Sequence, residues 1–429
     1  MDTLLAARAQ MEVSLGFHMI FAALGIGLPL LLLIAEGLWL KTGQAHYREL
    51  ARQWAKATAL TFAVGAVSGT ALSFELGLLW PEFMRQAGAT IGSAFTLEGF
   101  AFFIEAIFLG LYLYGWDRLS PRAHFLTGIP VAVSGLASGI LVVAVNAYMQ
   151  YPALDAAGQV RTDPLAPFAS PAWLHMSLHS SLSCYIATGF AAAGVYALGM
   201  LRGRNDAYHR SGLRIALAVA AVTAVLQPLS GDVSARAVAR LQPAKLAAME
   251  AVFTTERGAP LLIGGLPDVD ARNVRYAIEI PRGLSFLAHH DFNAEVAGLD
   301  RVPRSDWPNV TVTHIAFQIM VGCGFLLAAV GALYWLLQWR KREPNRALLW
   351  TLLLVAPLGF VALEAGWVVT EVGRQPWVIN GVMRTADAVT TVDDVYITFY
   401  AFCVLYAVLG AVLVMLLRRL AHNRRLAHD

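Results

Sequence analysis

Nine apolar runs dominate this sequence: Val13–Leu40, Lys56–Leu79, Ser93–Tyr114, His124–Met149, Trp173–Leu201, Leu213–Leu229, Val310–Leu337, Ala347–Thr370 and Val395–Leu417. Each is near or above the roughly 20 residues that carry an α-helix across a bilayer. Lipid offers the backbone no partners, so such runs must be helical. The expected fold class is an all-α integral membrane protein with about nine transmembrane helices. Composition agrees, because only 14% of residues are charged, against about 25% in soluble domains. The Leu213 run is the shortest. Cys184, Cys323 and Cys403 all lie inside runs and read as small buried hydrophobes, not as a disulfide or zinc framework. The first twelve residues show no basic region followed by a cleavage site, so no removable signal peptide is expected.

Basic residues set the expected orientation. One set of connections carries Lys41, Arg48, Arg52 and Lys56; Arg118 and Arg122; Arg202, Arg204, Arg210 and Arg214; Arg340, Lys341, Arg342 and Arg346; and Arg418, Arg419, Arg424 and Arg425. The other set, the long loop aside, carries Arg8, Arg85, Arg161, Arg374 and Arg384. The positive-inside rule then puts the N-terminus in the periplasm and the C-terminus in the cytoplasm. The long polar connection Gly231–Asn309, between helices 6 and 7, falls outside. It contains "SARAVARLQPAKLAAMEAVFTTE", whose apolar repeat predicts a short amphipathic helix near the membrane surface. The chain thus divides into 1–230 with six helices, the loop 231–309, and 310–429 with three helices and the cytoplasmic C-terminus.

Ionisable groups at membrane depth are costly and mark function. His18, Glu75, Glu98, Glu105, His175, His179, His314, Met320 and Glu364 all lie inside the runs. A lone histidine in a span is more often a helix–helix hydrogen bonder, and a lone methionine is core. Yet His18, Glu98, His179, Met320 and Glu364 come from five helices and converge on the outer half of the membrane. His and Met are axial ligands of heme iron, and a His/Met pair gives a six-coordinate electron-transfer heme. Glu98 and Glu105 are seven apart and share a helix face, about 10 Å from each other. That spacing suits a proton path. His175 and His179 are one turn apart, and geometry leaves both open as ligands. Arg374, in "EVGRQPW", can hold a heme propionate or serve as an interfacial turn residue.

"EGFAFFIEAIFLGLYLYGWDRLSP", "LHSSLSCYIATGF", "KLAAME", "FQIMVGCGFLL" and "ALEAGWVVTEVGRQPW" together resemble subunit I of the cytochrome bd-type quinol oxidases, over nearly the whole chain. The resemblance implies three cofactors: low-spin heme b558, high-spin heme b595 and heme d, or a b-type heme in the place of heme d. His179 and Met320 look like the ligands of the low-spin heme. His18 and Glu364 look like those of the two high-spin hemes, without an assignment of which holds which. Glu98 and Glu105 match the acidic pair near these hemes, and Lys245 and Glu250 match the quinol-site residues of the loop.

By the same resemblance the chain is a quinol:oxygen oxidoreductase of the bacterial inner membrane. It would oxidise ubiquinol or menaquinol at the periplasmic side and reduce O2 with cytoplasmic protons, building a membrane potential without pumping. Implied partners are subunit II, with room for a single-helix accessory subunit, and the lipid bilayer; no nucleic acid is expected. Three departures stand out: Gln318 where the family often has arginine, a short loop, and the seven-residue Glu98–Glu105 spacing. The first two are similar to the cyanide-insensitive branch. A heme-b electron conduit would favour paired histidines from facing helices. A proton-coupled transporter would show internal repeats and broken helices, and neither is legible in the sequence.

Overall fold

The computed structural model describes residues 2–426, and side chains through residue 420. Met1, residues 427–429 and the side chains of Arg424 and Arg425, which enter the orientation argument, lie outside the described residues. Thirteen α-helices follow in order among the described residues: α1 Thr3–Thr42, α2 Ala45–Leu79, α3 Pro81–Gly115, α4 Pro121–Gln150, α5 Trp173–Leu201, α6 Ala207–Leu241, α7 Pro243–Met249, α8 Gly283–His289, α9 Val310–Trp339, α10 Arg346–Val355, α11 Leu358–Val372, α12 Thr385–Ala388 and α13 Val395–Leu426. Nine spans among the described residues are long and apolar enough to cross a membrane, α10 and α11 together making one.

The ends of these helices follow from local chemistry. Asp2, Ser120, Asp206, Asn309 and Asn345 cap α1, α4, α6, α9 and α10 by accepting from a backbone N–H three residues on. Pro81, Pro121 and Pro243 open α3, α4 and α7, where a missing N–H costs nothing. At 40 residues α1 is about 60 Å long, twice the hydrocarbon thickness, so it projects beyond the bilayer.

The helices pack as neighbouring antiparallel pairs, α1 on α2, α3 on α4 and α5 on α6, with α9 against α11 and α10 against α5. The largest core joins Leu31, Leu32, Phe190, Leu213, Leu217, Leu327 and Leu352 from α1, α5, α6, α9 and α10. Other faces stay bare and apolar: Phe100, Phe103, Ile107 and Tyr114 on α3 are largely exposed, as suits lipid or a membrane partner.

Three expectations need correction. The Leu213 run is not short as a helix: α6 runs 35 residues to Leu241. Its apolar run stops because Gln227, Ser230 and Ser234 turn toward histidines of α5, while the helix continues. The proposed amphipathic helix is split. Residues 233–241 finish α6, Gln242 leaves helical geometry before Pro243, and α7 ends at Met249. The eighth span is broken, since Ala356 and Pro357 separate α10 from α11. Proline removes a backbone donor and crowds the preceding turn.

The connection after α7 is ordered. Strands β1 Glu256–Arg257 and β6 Glu295–Val296, β2 Leu261–Ile263 and β5 Ile278–Ile280, and β3 Leu266–Asp268 and β4 Asn273–Arg275 pair antiparallel. They enclose a small core of Leu246, Val252, Phe253, Leu284, Leu299 and Val310. A last pair, β7 Trp377–Ile379 with β8 Met383–Arg384, follows α11. We call this the loop end of the bundle and its opposite the basic end.

Candidate functional site

His18 on α1 and His179 on α5 are built alike. Nδ1 of His18 meets Oγ of Ser68 on α2 at 3.0 Å, and Ser68 itself donates to the Gly65 carbonyl. Nδ1 of His179 meets Oγ of Ser230 on α6 at 2.8 Å, and Ser230 donates to the Gln227 carbonyl. A hydroxyl has one hydrogen, so each serine must accept from the ring and Nδ1 must carry the proton. The lone pair is therefore on Nε2 in both rings, the state a metal ligand requires, with an outer partner fixing the tautomer. Nε2 of His179 accepts from the Gln227 amide at 3.0 Å. His175 repeats the pattern one turn away, with Nδ1 at 3.1 Å from Ser234 Oγ and Nε2 buried without a partner.

The two non-histidine donors are on α9 and α11. An ideal Cβ on Gly366 would sit 3.1 Å from Met320 Sδ, and one on Gly16 would sit 3.3 Å from Glu364 Oε2. Gly16 is two residues from His18, so Glu364 faces the same stretch of α1. Oε1 of Glu364 is buried and unpartnered. Four candidate ligands thus rest against glycines, since Gly69 abuts His18 and Gly231 abuts His179. At these positions the bare backbone lets the candidate side chains pack directly against it.

Among the described residues no three His, Cys, Asp or Glu side chains cluster to hold a metal ion. Protein-only sites take three or four ligands. Single donors from separate helices suit a heme, whose macrocycle fills the equatorial positions and leaves one or two axial ones to the protein. The residues present fit that group.

Glu98 accepts from Ser138 on α4 at 2.8 Å. Glu105, two turns on, is 5% exposed, lies against Gly135 and has no partner for Oε1. Sequence reasoning missed the next member of this line. Tyr112, seven residues further, donates to Glu36 at 2.6 Å; His124 Nδ1 meets the other oxygen of Glu36 at 2.6 Å, and its Nε2 faces the Tyr112 carbonyl. All three are buried near the basic end. The available signal was Glu36, a carboxylate inside the first apolar run.

Glu75, left without a role above, accepts from Gln10 and Ser14. Arg374 is buried and donates to the Glu371 carboxylate and the Val378 carbonyl, with Asn146 holding the other oxygen of Glu371. Glu371, also passed over in the sequence, is thus a second carboxylate on α11, two turns from Glu364. At the loop end Lys245 and Glu250 are both buried. Burial pulls the Lys245 amine down to about 7, with Glu371 opposing that and Arg374 adding to it. Burial pushes the Glu250 carboxyl up to about 8, and its Oε2 has no partner.

These features define a mostly helical membrane protein whose candidate heme donors lie in the loop-end half of their helices. The family description "Cytochrome bd terminal oxidase subunit I" matches residues 6–425, and the chain belongs to that family. It is 39% identical to a provisionally named cytochrome bd menaquinol oxidase subunit I of Bacillus subtilis (strain 168), over 97% of this chain and 96% of the relative. It is 31% identical to the cytochrome bd ubiquinol oxidase subunit 1 of the same organism, over 98% and 93% of the two chains. The bd oxidase structure from Geobacillus thermodenitrificans superposes with a TM-score of 0.92 at 38% identity, covering 98% of this chain and 99% of that one. Membership implies heme cofactors and a multi-pass protein of the bacterial inner membrane.

Proposed function

We propose that the chain is the heme-carrying catalytic subunit of a quinol oxidase, working beside a subunit II. The observation that carries this is the pair of histidines, His18 and His179, each with Nδ1 fixed by a serine so that the lone pair falls on Nε2, where His179 accepts from the Gln227 amide. His179 and Met320 would hold low-spin heme b558. His18 and a carboxylate of α11 would hold heme b595 and heme d, or a b-type heme in the latter's place. Glu364 has the free oxygen expected of that carboxylate. Glu371 is the competing ligand, since ligating carboxylates are themselves held by outer partners such as Asn146 and Arg374. When bound, the hemes supply one-electron carriers and an open iron position for oxygen.

The remaining chemistry belongs to this chain's own residues. Lys245 and Glu250 would bind quinol in the ordered connection, where Glu250 in its ionised form takes up a proton as the ring is oxidised. The excess of basic residues at the opposite end supports a periplasmic position for that site. Glu36, His124, Tyr112, Glu105 and Glu98 line an inward route for cytoplasmic protons. Quinol protons released outside and oxygen's protons drawn from inside build a potential without a pump.

The test is a reduced-minus-oxidised optical spectrum of the purified complex, repeated with carbon monoxide. Low- and high-spin heme b bands with a carbon monoxide shift are expected. A long-wavelength chlorin band in addition assigns heme d, and its lack assigns a b-type heme. A complex without heme would overturn the reading.

A further inference from the structure

His314 and Gln318 are one turn apart on α9, on a face turned from Met320 toward the loop end. The buried His314 ring bridges two segments: Nδ1 lies 2.8 Å from the Met249 carbonyl and Nε2 lies 3.1 Å from the Gly264 carbonyl. Gln318 uses both ends of its amide. Its Oε1 accepts from Gly264 N–H at 3.0 Å, and its Nε2 donates to the Leu262 carbonyl at 3.0 Å.

Gly264 is therefore held at its N–H by Gln318, while its carbonyl and that of Met249 flank the His314 ring, which when neutral donates to one of the two. It and Gly265 form the β2–β3 turn with φ of +69° and +101°, and a Cβ on Gly265 would fall 2.5 Å from Val274. The turn needs glycine and has one register. Met249, the other segment held by His314, immediately precedes Glu250.

We infer that His314 and Gln318 are positioning residues for the quinol site: they lock the Gly264 turn and the end of α7 onto α9, and thereby fix Glu250. This rests on the reading of Lys245 and Glu250 as quinol-binding. It also gives Gln318, which stands where the family often has arginine, a role directed at the loop.

The experiment compares Gln318→Leu, Gln318→Glu and His314→Gln with Glu250→Gln in the purified complex, reading kcat, KM for a short-chain quinol and the heme spectrum. Loss of two hydrogen bonds in Gln318→Leu should raise KM about tenfold with kcat within about twofold and the spectrum unchanged. Gln318→Glu keeps the acceptor for Gly264 but not the donor to Leu262, so its KM should fall between. Should His314→Gln fail to load heme, the Gln318 pair carries the test. An unchanged KM in heme-loaded Gln318→Leu, or a shifted low-spin band in its place, overturns the proposal. Kinetics of Glu250→Gln equal to the parent would instead sink the quinol-site reading and this inference with it.

Discussion

The Lys245 amine lies 3.1 Å from the Thr370 carbonyl and 3.1 Å from Oε1 of Gln150. One buried nitrogen thus ties the segment after α6 to the ends of α4 and α11, beside Glu371. Gln150 reinforces the junction by donating to the same Thr370 carbonyl and accepting from Gln242.

Burial sets the pH response of this segment. With Lys245 at about 7 and Glu250 at about 8, both are neutral between those values. Quinol KM should inflect near pH 7 as the amine loses its charge and near pH 8 as the carboxyl ionises. Lys245→Met should erase the first inflection and Glu250→Gln the second. For stability the signs oppose. The raised Glu250 value removes stability as pH climbs from 4.5 toward 8, whereas the lowered Lys245 value returns it between 7 and 10.5. Profiles of KM from pH 6 to 9 in the two variants, about half a unit apart, resolve the inflections.

Ser230 and Ser68 hold the tautomer of the two histidines. Ser230→Ala and Ser68→Ala should each weaken heme retention by about 10- to 100-fold, the usual effect of losing an outer partner. Heme-to-protein ratio after detergent washing reads this directly; full retention in both would show that the serines only pack.

The two carboxylates of α11 can be told apart. Glu364→Gln should remove a high-spin heme signal while Glu371→Gln leaves it, if Glu364 is the ligand. The reverse pattern assigns the iron to Glu371 and leaves Glu364 as a buried acid beside His18.

Tyr112→Phe removes the hydroxyl that donates to Glu36 beside His124, two turns along α3 from Glu105. Proton uptake during oxygen reduction should slow by about tenfold or more, in the range of a lost proton-transfer group, and Glu105→Gln should slow it further. Uptake at the parent rate in both would place the route elsewhere.

The sequence alone determined the membrane class, the nine spans, and the residue types able to bind heme. Length and apolarity are one-dimensional quantities, and lipid permits only one local structure for such runs. His18, His179, Met320, Glu105 and Glu364 stood out because polar groups are rare in that background. Tertiary structure alone decided what each one meets. Ser68 and Ser230 are ordinary residues in the sequence, and only the pairing of α1 with α2 and of α5 with α6 makes them partners of histidines. The same holds for Gln318, whose amide is spent on Gly264 and Leu262, and for Glu371, neutralised by an arginine three residues on. Hydrogen bonds between helices depend on rotation and register about each axis, which packing fixes and hydropathy leaves open. Helix ends behave the same way: α6 outlasts its apolar run because its polar face is covered by α5, and the halves of the eighth span, parted at Pro357, pack chiefly on α5 and α9.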